Sequence, residues 1–584
     1  MEDEKTSPST SSAGHGVDGH SLNEKREEVE HRPGSPESQQ SQLDREGAEV
    51  KSANGPAVLA KTKSRQSARS QRSFGGHDGY SVHDEYEKQQ SDTEQGSPDR
   101  NKEFEVKFDG PTDPMNPRSR KKAHKWFINL ILSCGSLCTT CAAAIYTQSY
   151  AQLERELGVS RIVATLGLSL YILGLGIGPM FLSPLSEFYG RRPIYLGSFS
   201  FFLLWLIPCA VAKNIQTLLV GRFLAGISGS AFLSVAGGTV GDLFDRVELS
   251  LPMMVYTASP FVGPEVGPVI GGFINQYTYW RWVFYVLLIW AGIELTMIFF
   301  FVPETYHPVV LKKKAIKLRK ETGNDQWYAP MEVMNKSVTR TVLWSCIRPF
   351  QLLTLEPMCL ALCLISSILL GILYLFFGAF QLIFGNNHGF TQSQIGMSFL
   401  GIFVGMMIGV CCDPLWQKNY QRLVRKNGGV SEPEFRLPPT IVGAIIVPFA
   451  LIGFAFTTYP SVHWIVPVIF STFFGLGNIF CFGGIFTNHV ETYPLYAASA
   501  LAANSFSRSS FAAAFPLFGV QMYEGLGYQW ASFLLAGLAL ILMPFRKYID
   551  TAKDPALWHH GTLLTGFFSI HILQIWQADK RNKS

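Results

Sequence analysis

The stretch SPFVGPEVGPVIGGF, Ser259 to Phe273, carries Gly263, Gly267 and Gly271 at every fourth position. Pro264 follows the first, Pro268 the second and Gly272 the third. On a helix a four-residue step drifts by only about 40° per repeat, so the three glycines line one face as a smooth groove. In water, so many Gly and Pro residues would break a helix. In a bilayer, neighbouring helices re-satisfy the freed backbone groups, and small residues let backbones approach closely. A tight packing face is the plain reading of the glycines. Glu265, in the middle of the stretch, points to something beyond packing.

The rest of the chain agrees with a membrane setting. Hydrophobic residues make up 47% of the 584, an average share that is unevenly spread. Residues 1–115 hold almost no apolar runs and are rich in Ser, Gln, Glu, Lys and Gly, which predicts a disordered tail. Later segments repeatedly carry runs of about 20 apolar residues, enough at ~1.5 Å each to cross a ~30 Å hydrocarbon core. The expected fold is all-α and integral to the membrane. Twelve spans are expected near 126–147, 161–182, 194–212, 218–240, 252–274 and 283–302, then 358–380, 394–412, 439–457, 464–486, 498–520 and 531–547.

Charge placement tests that count. Arg118, Arg120, Lys121, Lys122 and Lys125 precede the first span, which puts the N-terminus in the cytosol by the positive-inside rule. Loops on the same side hold Arg191-Arg192, the run Lys312 to Lys320, and Lys418, Arg422, Arg425 and Lys426. The other side holds only Arg155, Arg161, Lys213 and Arg281, near span ends. Both termini are therefore expected to be cytosolic. The polar insert 303–357, with a basic helical run from Leu311 to Glu321, divides the chain into halves at 116–302 and 358–547. Ser183-Pro184-Leu185 after span two is echoed by Asp413-Pro414-Leu415 after span eight. Two six-helix pseudo-repeats with a binding site between them are the expected architecture.

Some functions are disfavoured. A formal charge of +5 is too small to argue for nucleic acid. No phosphate loop ending in Gly-Lys-Ser or Gly-Lys-Thr occurs, and no His-Glu-x-x-His or Gly-x-Ser-x-Gly pattern sits on a plausible scaffold, so no enzyme is expected. Cys134, Cys138 and Cys141 follow helical spacing, yet small soft residues are common in packed helices. His388, His463 and His489 read as isolated, and no metal or cofactor is expected. No cleavable leader is visible, so the first span is expected to act as the insertion signal. In the last segment, 548–584, the apolar piece Leu563 to Trp576 is short and followed by basic residues, which suggests an interfacial helix.

Five motifs carry a resemblance. Leu175 to Tyr195 places Glu187 to meet Arg191 or Arg192 across a bend allowed by Gly190, a latch that can form in one conformation and break in another. The stretch resembles the loop motif of the major facilitator superfamily, with Ser183 for its usual Gly and Glu187 for the commoner Asp. Leu218 to Ala231 puts Arg222 inside span four, where a charge costs about 2.5–3.5 kcal/mol on insertion scales. It is similar to the superfamily's fourth-span motif, whose arginine the resemblance implicates in proton coupling. Near a span end the side chain could also snorkel. Gly263 to Gly272 resembles the antiporter motif of span five. Pro303-Glu304-Thr305-Tyr306 with Leu311 to Gly323, and Ala497 to Phe518 with Trp530-Ala531-Ser532, resemble fungal drug:proton antiporters with twelve spans. The resemblance covers roughly 115–547.

Further polar groups are candidates by position. Glu294 sits in span six, and an intramembrane carboxylate is a functional candidate by default. Asn504 and Arg508 lie four apart on span eleven, and Asn478 in span ten has no evident partner. Tyr374, Phe376, Phe377 and Phe380 make span seven aromatic, as packing or as a substrate wall. Together these lead us to expect a monomeric, proton-coupled exporter of drugs or polyamine-like cations. It is expected in the plasma membrane, with the vacuolar membrane as the alternative. A sugar-type uniporter or symporter shares the fold, but Tyr306-His307 replaces the Lys-Gly typical of that group. A non-transporting sensor signalling through the long tail is the third reading.

Overall fold

The structure is a computed structural model that describes residues 104–541, apart from 111–112, 245–247, 334–336, 430 and 494–496. The expectations for most of the tail and for the helix at Leu563 to Trp576 lie outside those residues.

Helices stand at all twelve expected places. They are α1 (Lys122–Ala144), α2 (Arg161–Tyr189), α3 (Arg191–Ala210), α4 (Ile215–Leu243), α5 (Ser250–Tyr277) and α6 (Arg281–Phe301). The second half comprises α7 (Pro357–Leu382), α8 (Gln392–Ser398 running on as Leu400–Cys411), α9 (Pro438–Phe456), α10 (Ile465–Thr492), α11 (Ala497–Leu526) and α12 (Tyr528–Ile541). Among the described residues nine helices are long and apolar enough to cross a membrane. The exceptions are α5, α11 and α12. α5 and α11 are diluted by Gly, Pro, Ser and Asn, and the described part of α12 is 14 residues long.

Packing repeats with a period of six helices. α1 packs on α5 as α7 packs on α11; α2 on α4 as α8 on α10; α3 on α4 as α9 on α10; α3 on α6 as α9 on α12. The contacts between halves obey the same rule, α2 against α11 and α5 against α8. Large apolar side chains stay exposed on the outer helices, among them Phe201 and Leu204 on α3, Ile289 and Phe300 on α6, and Phe449 on α9. In water such a belt would be a liability; against lipid it is the ordinary outer surface. A shallow depression of about 510 Å³ between α3 and α6 belongs to this outer face and does not approach Glu265.

The chain before α1 is more ordered than the expected boundary at 115. Val106 is buried and its N–H donates to the Tyr328 carbonyl at 3.0 Å, while Phe104 packs edge-on against Trp327. Lys314, on the linker helix His307–Thr322, donates to Asp109 and Asp113 at 2.7 Å each and to the Lys107 carbonyl at 3.0 Å. The basic run expected at Leu311 to Glu321 lies in this helix. A second linker helix, Val338–Leu355, packs on the end of α2 and on α7 and α11.

Candidate functional site

The glycine face of α5 divides between two neighbours. A Cβ at Gly267 would sit 2.7 Å from the Ile145 nitrogen, and one at Gly271 2.6 Å from its carbonyl oxygen. Gly263 faces Thr140 and Cys141 in the same way, so the groove seats the end of α1. A Cβ at Gly272 would instead meet the Gln392 carbonyl at 2.7 Å, and Gly396 lies against Pro268, which brings α5 onto α8 of the other half. The packing reading of the glycines therefore holds, and it joins the halves as well as the helices of one half. Pro264 and Pro268 lie within a continuous helix.

Glu265 is two residues from Gly263 and Gly267 and so turns away from α1. It is fully buried, and neither carboxylate oxygen has a hydrogen-bond partner among the described residues. Tyr374 of α7 is buried and meets Phe377 edge-on at 5.2 Å. Arg508 lies over the rings of Phe486 and Phe261, at 5.2 and 5.8 Å, and its Nε has no partner. Phe261 in turn stacks on Phe482 of α10 at 4.8 Å. Asn478 is buried with both amide atoms unpartnered. Phe261, one turn before Glu265, thus brings Arg508 of α11 and Phe482 of α10 onto α5, a central group contributed by both halves and lined by aromatic rings that sequence spacing did not single out.

Other candidates are elsewhere. Arg222 does not snorkel. It is fully buried, donating from Nη1 to the Ala142 carbonyl at 2.6 Å, from Nη2 to Ala143 at 3.2 Å and from Nε to Gly167 at 3.1 Å. Tyr146 and Tyr171 sandwich it at 4.4 Å each. Glu294 is buried against Cys134 and the Gly135 backbone of α1, away from the central group, with Oε1 unpartnered. Asn504 shares the α11 face of Arg508 but bonds into α7, donating to Ser366 Oγ at 2.8 Å. The α7 aromatics divide too: Phe376 and Phe380 pack on Phe454 inside the second half, and Phe377 meets Phe399.

The α2–α3 turn is tied by more than the expected latch. Gly190 has φ 99°, and a Cβ there would enter the Glu304 carboxylate. That carboxylate accepts from the Arg191 and Arg192 backbone N–H groups at 2.9 and 3.3 Å, capping the start of α3. Arg191 pairs with Asp242 at 3.3 Å and lies over Tyr306 at 4.8 Å. Arg192 donates to the Phe299 carbonyl at 2.8 Å. The reading from sequence gave Glu187 as the acid of this latch and missed Asp242 and Glu304. An equivalent cluster stands in the other half: Arg436, just before α9, meets Glu491 near the end of α10 at 2.8 Å and lies over Tyr420 at 3.5 Å. Arginine at one span's start and acid at the next span's end, repeated across the halves, was the signal available.

Each of these clusters stays within its own half at the linker end. At the opposite end polar bonds cross between halves. Gln381 donates to the Thr147 carbonyl at 3.0 Å, Gln392 to Gln148 Oε1 at 2.5 Å, and the Ser393 N–H to Gln276 at 2.9 Å. Arg161 also reaches Gln381.

Residues 132–516 match the family model for the Major Facilitator Superfamily. The chain belongs to the major facilitator superfamily. Within the superfamily it is 56% identical to the efflux pump atB of Aspergillus terreus, over 78% of this chain and 89% of that protein. It is 41% identical to the probable drug/proton antiporter YHK8 of Saccharomyces cerevisiae, over 76% and 87%. Its fold is shared with the xylose transporter XylE from E. coli, at 16% identity and a TM-score of 0.51, over 73% of this chain and 99% of that one. The chain is thus a multi-pass membrane protein of a transporter family.

Proposed function

We propose that this major facilitator exports drug-like amphipathic or cationic small molecules in exchange for protons, with Glu265 as the exchanging group. The observation that carries this reading is Glu265 itself: buried, with neither carboxylate oxygen bonded among the described residues, and one turn from Phe261, over whose ring Arg508 of the other half lies at 5.8 Å. An ionised carboxylate in a low-dielectric interior is costly without a donor or counter-charge. A proton and a cationic guest are therefore alternative occupants, and alternation between them couples their movements. Relatives named efflux pump and probable drug/proton antiporter support the direction and the ion. The drive is sizeable, since one charge moving down 100 mV releases about 2.3 kcal/mol.

In this reading the linker end, where the basic loops lie, faces the cytosol together with both termini, and the protein works as a monomer in the plasma membrane. The bonds crossing at the far end then describe a state closed outward. In membrane vesicles challenged in parallel with spermine and an azole, Glu265→Gln should abolish proton-driven transport at unchanged expression. Glu294→Gln should retain it. Wild-type transport by the Glu265 variant would remove that residue from the exchange.

A further inference from the structure

Three ligand-type side chains meet at the linker end of the second half, apart from the central group. Cys359 and Cys363 occupy the first two turns of α7, four residues apart and so on one face. His489 enters from the last turn of α10. All three are fully buried. The two Sγ atoms are 3.9 Å apart, and His489 Nε2 lies 3.8 Å from Cys359 Sγ and 3.6 Å from Cys363 Sγ. The reading from sequence took His489 as isolated because 126 residues separate it from Cys363.

The imidazole is preset for ligation. Its Nδ1 lies 2.8 Å from the Ile485 carbonyl oxygen, which can only accept, so the proton sits on Nδ1. The Nε2 lone pair then faces the sulfurs, the arrangement that second-shell carbonyls impose on metal-binding histidines. A triangle with edges of 3.9, 3.8 and 3.6 Å has its centre about 2.2 Å from every corner. Zinc–sulfur and zinc–imidazole bonds are about 2.3 Å and about 2.0–2.1 Å. Asn504 stands beside the triangle with Nδ2 3.7 Å from Cys363 Sγ, and its buried Oδ1 has no partner. Leu352 and Leu353 of the linker helix, with Tyr493, pack over the cluster.

We propose that Cys359, Cys363 and His489 bind one soft or borderline d10 cation, Cu(I) or Zn(II), bracing α7 against α10. Two thiolates and an imidazole suit those ions, whereas Mg(II) and Ca(II) require oxygen donors. Cu(I) would be complete with three ligands; Zn(II) would take Asn504 Oδ1 or a water as its fourth. The brace lies where the linker enters the second half, so occupancy would stiffen the first turn of α7 relative to the end of α10. The competing arrangement is a thiol–imidazole hydrogen bond with no metal.

The test uses full-length protein without a histidine tag, stripped with chelators and titrated in separate arms with Zn(II) and with Cu(I) against a competing chelator. We expect one equivalent of one of these ions, with X-ray absorption of the loaded wild type showing two sulfurs and one nitrogen in its shell. Cys363→Ser and His489→Gln should each weaken binding at least tenfold, while Cys346→Ser leaves it unchanged. Absence of binding in both arms, a shell lacking sulfur, or undiminished binding by both variants would overturn the site. The absorption measurement needs no variant to fold.

Discussion

Two buried charged residues, Glu265 and Arg222, show how differently a membrane protein can house charge. Among the described residues Glu265 has neither donor nor counter-ion within hydrogen-bond distance, whereas Arg222 is met on both faces by rings and by three carbonyls. Ala142 and Ala143 belong to the last turn of α1, where the helix tightens into the 3-10 turn Ile145–Ser149. Arg222 is thus a bolt between α1 and α2, through those carbonyls and that of Gly167. Arg222→Met should remove bonds to three buried acceptors, each costing about 1–3 kcal/mol if left unpaired. A fall in the detergent melting temperature of several degrees is expected, with transport lost alongside. An unchanged melting temperature would show the bolt carries no load. Sequence made Arg222 and Glu265 visible because charges stand out in apolar runs. It could not show that one is satisfied and the other is not, since Ala142, Ala143 and Gly167 reveal nothing by residue type.

At the scale of elements, α5 is a helix whose small residues are spent on two contacts. The four-residue repeat made the groove legible; its division between α1 and α8 was not, because Gly272 departs from the stripe by one residue. Gly272→Val should wedge α5 from α8 where the two halves meet. Overpacking of this kind costs about 1–3 kcal/mol, so the variant should express and bind substrate yet transport at a small fraction of the wild-type rate. Normal turnover would mean the halves do not need that approach. The segment before α1 offers a second test. Burial opposes the Asp113 charge, but bonds from Lys314 and from the Met115 and Asp109 backbones outweigh it and hold the carboxyl below its usual range. A depressed folded value adds stability above the unfolded pKa of about 3.9 and loses it as pH falls through the folded value. Lys314 is correspondingly raised above its usual value, despite burial, by Asp109 and Asp113, so the clasp persists through neutral pH. Protection of the amides at 104–110, taken as the ratio of intrinsic to observed exchange rate, should be high from about pH 5 to 9 and fall below about pH 4; in Asp113→Asn it should be low throughout. Protection that ignores both pH and substitution would contradict the clasp. Composition hid this contact, because Phe104, Val106 and Phe108 alternate with Glu105 and Lys107 in an apolar pattern too short to stand out from the polar tail.

For the whole molecule, the repeated packing, the paired clusters at Arg191–Asp242 and Arg436–Glu491, and the bonds that cross between halves at the far end fit two halves turning about a central site. Span count and the division into halves were legible because apolar length and positive charge are set by the bilayer itself, and the family through its resemblance at motifs such as Gly263 to Gly272. The mates of each latch show only when the two halves are compared, and the meeting of Cys359, Cys363 and His489 depends on helices distant in sequence that no local pattern joins. The proposed exchange of protons for solute between those halves has Glu265 at its centre. It is tested most directly in sealed proteoliposomes containing a pH-sensitive dye. Adding a transported solute on one side, with no pre-set gradient, should drive protons the opposite way in the wild type and not in Glu265→Gln. Solute that crosses at the wild-type rate with no proton movement, and equally fast when pH gradient and voltage are collapsed, would contradict it.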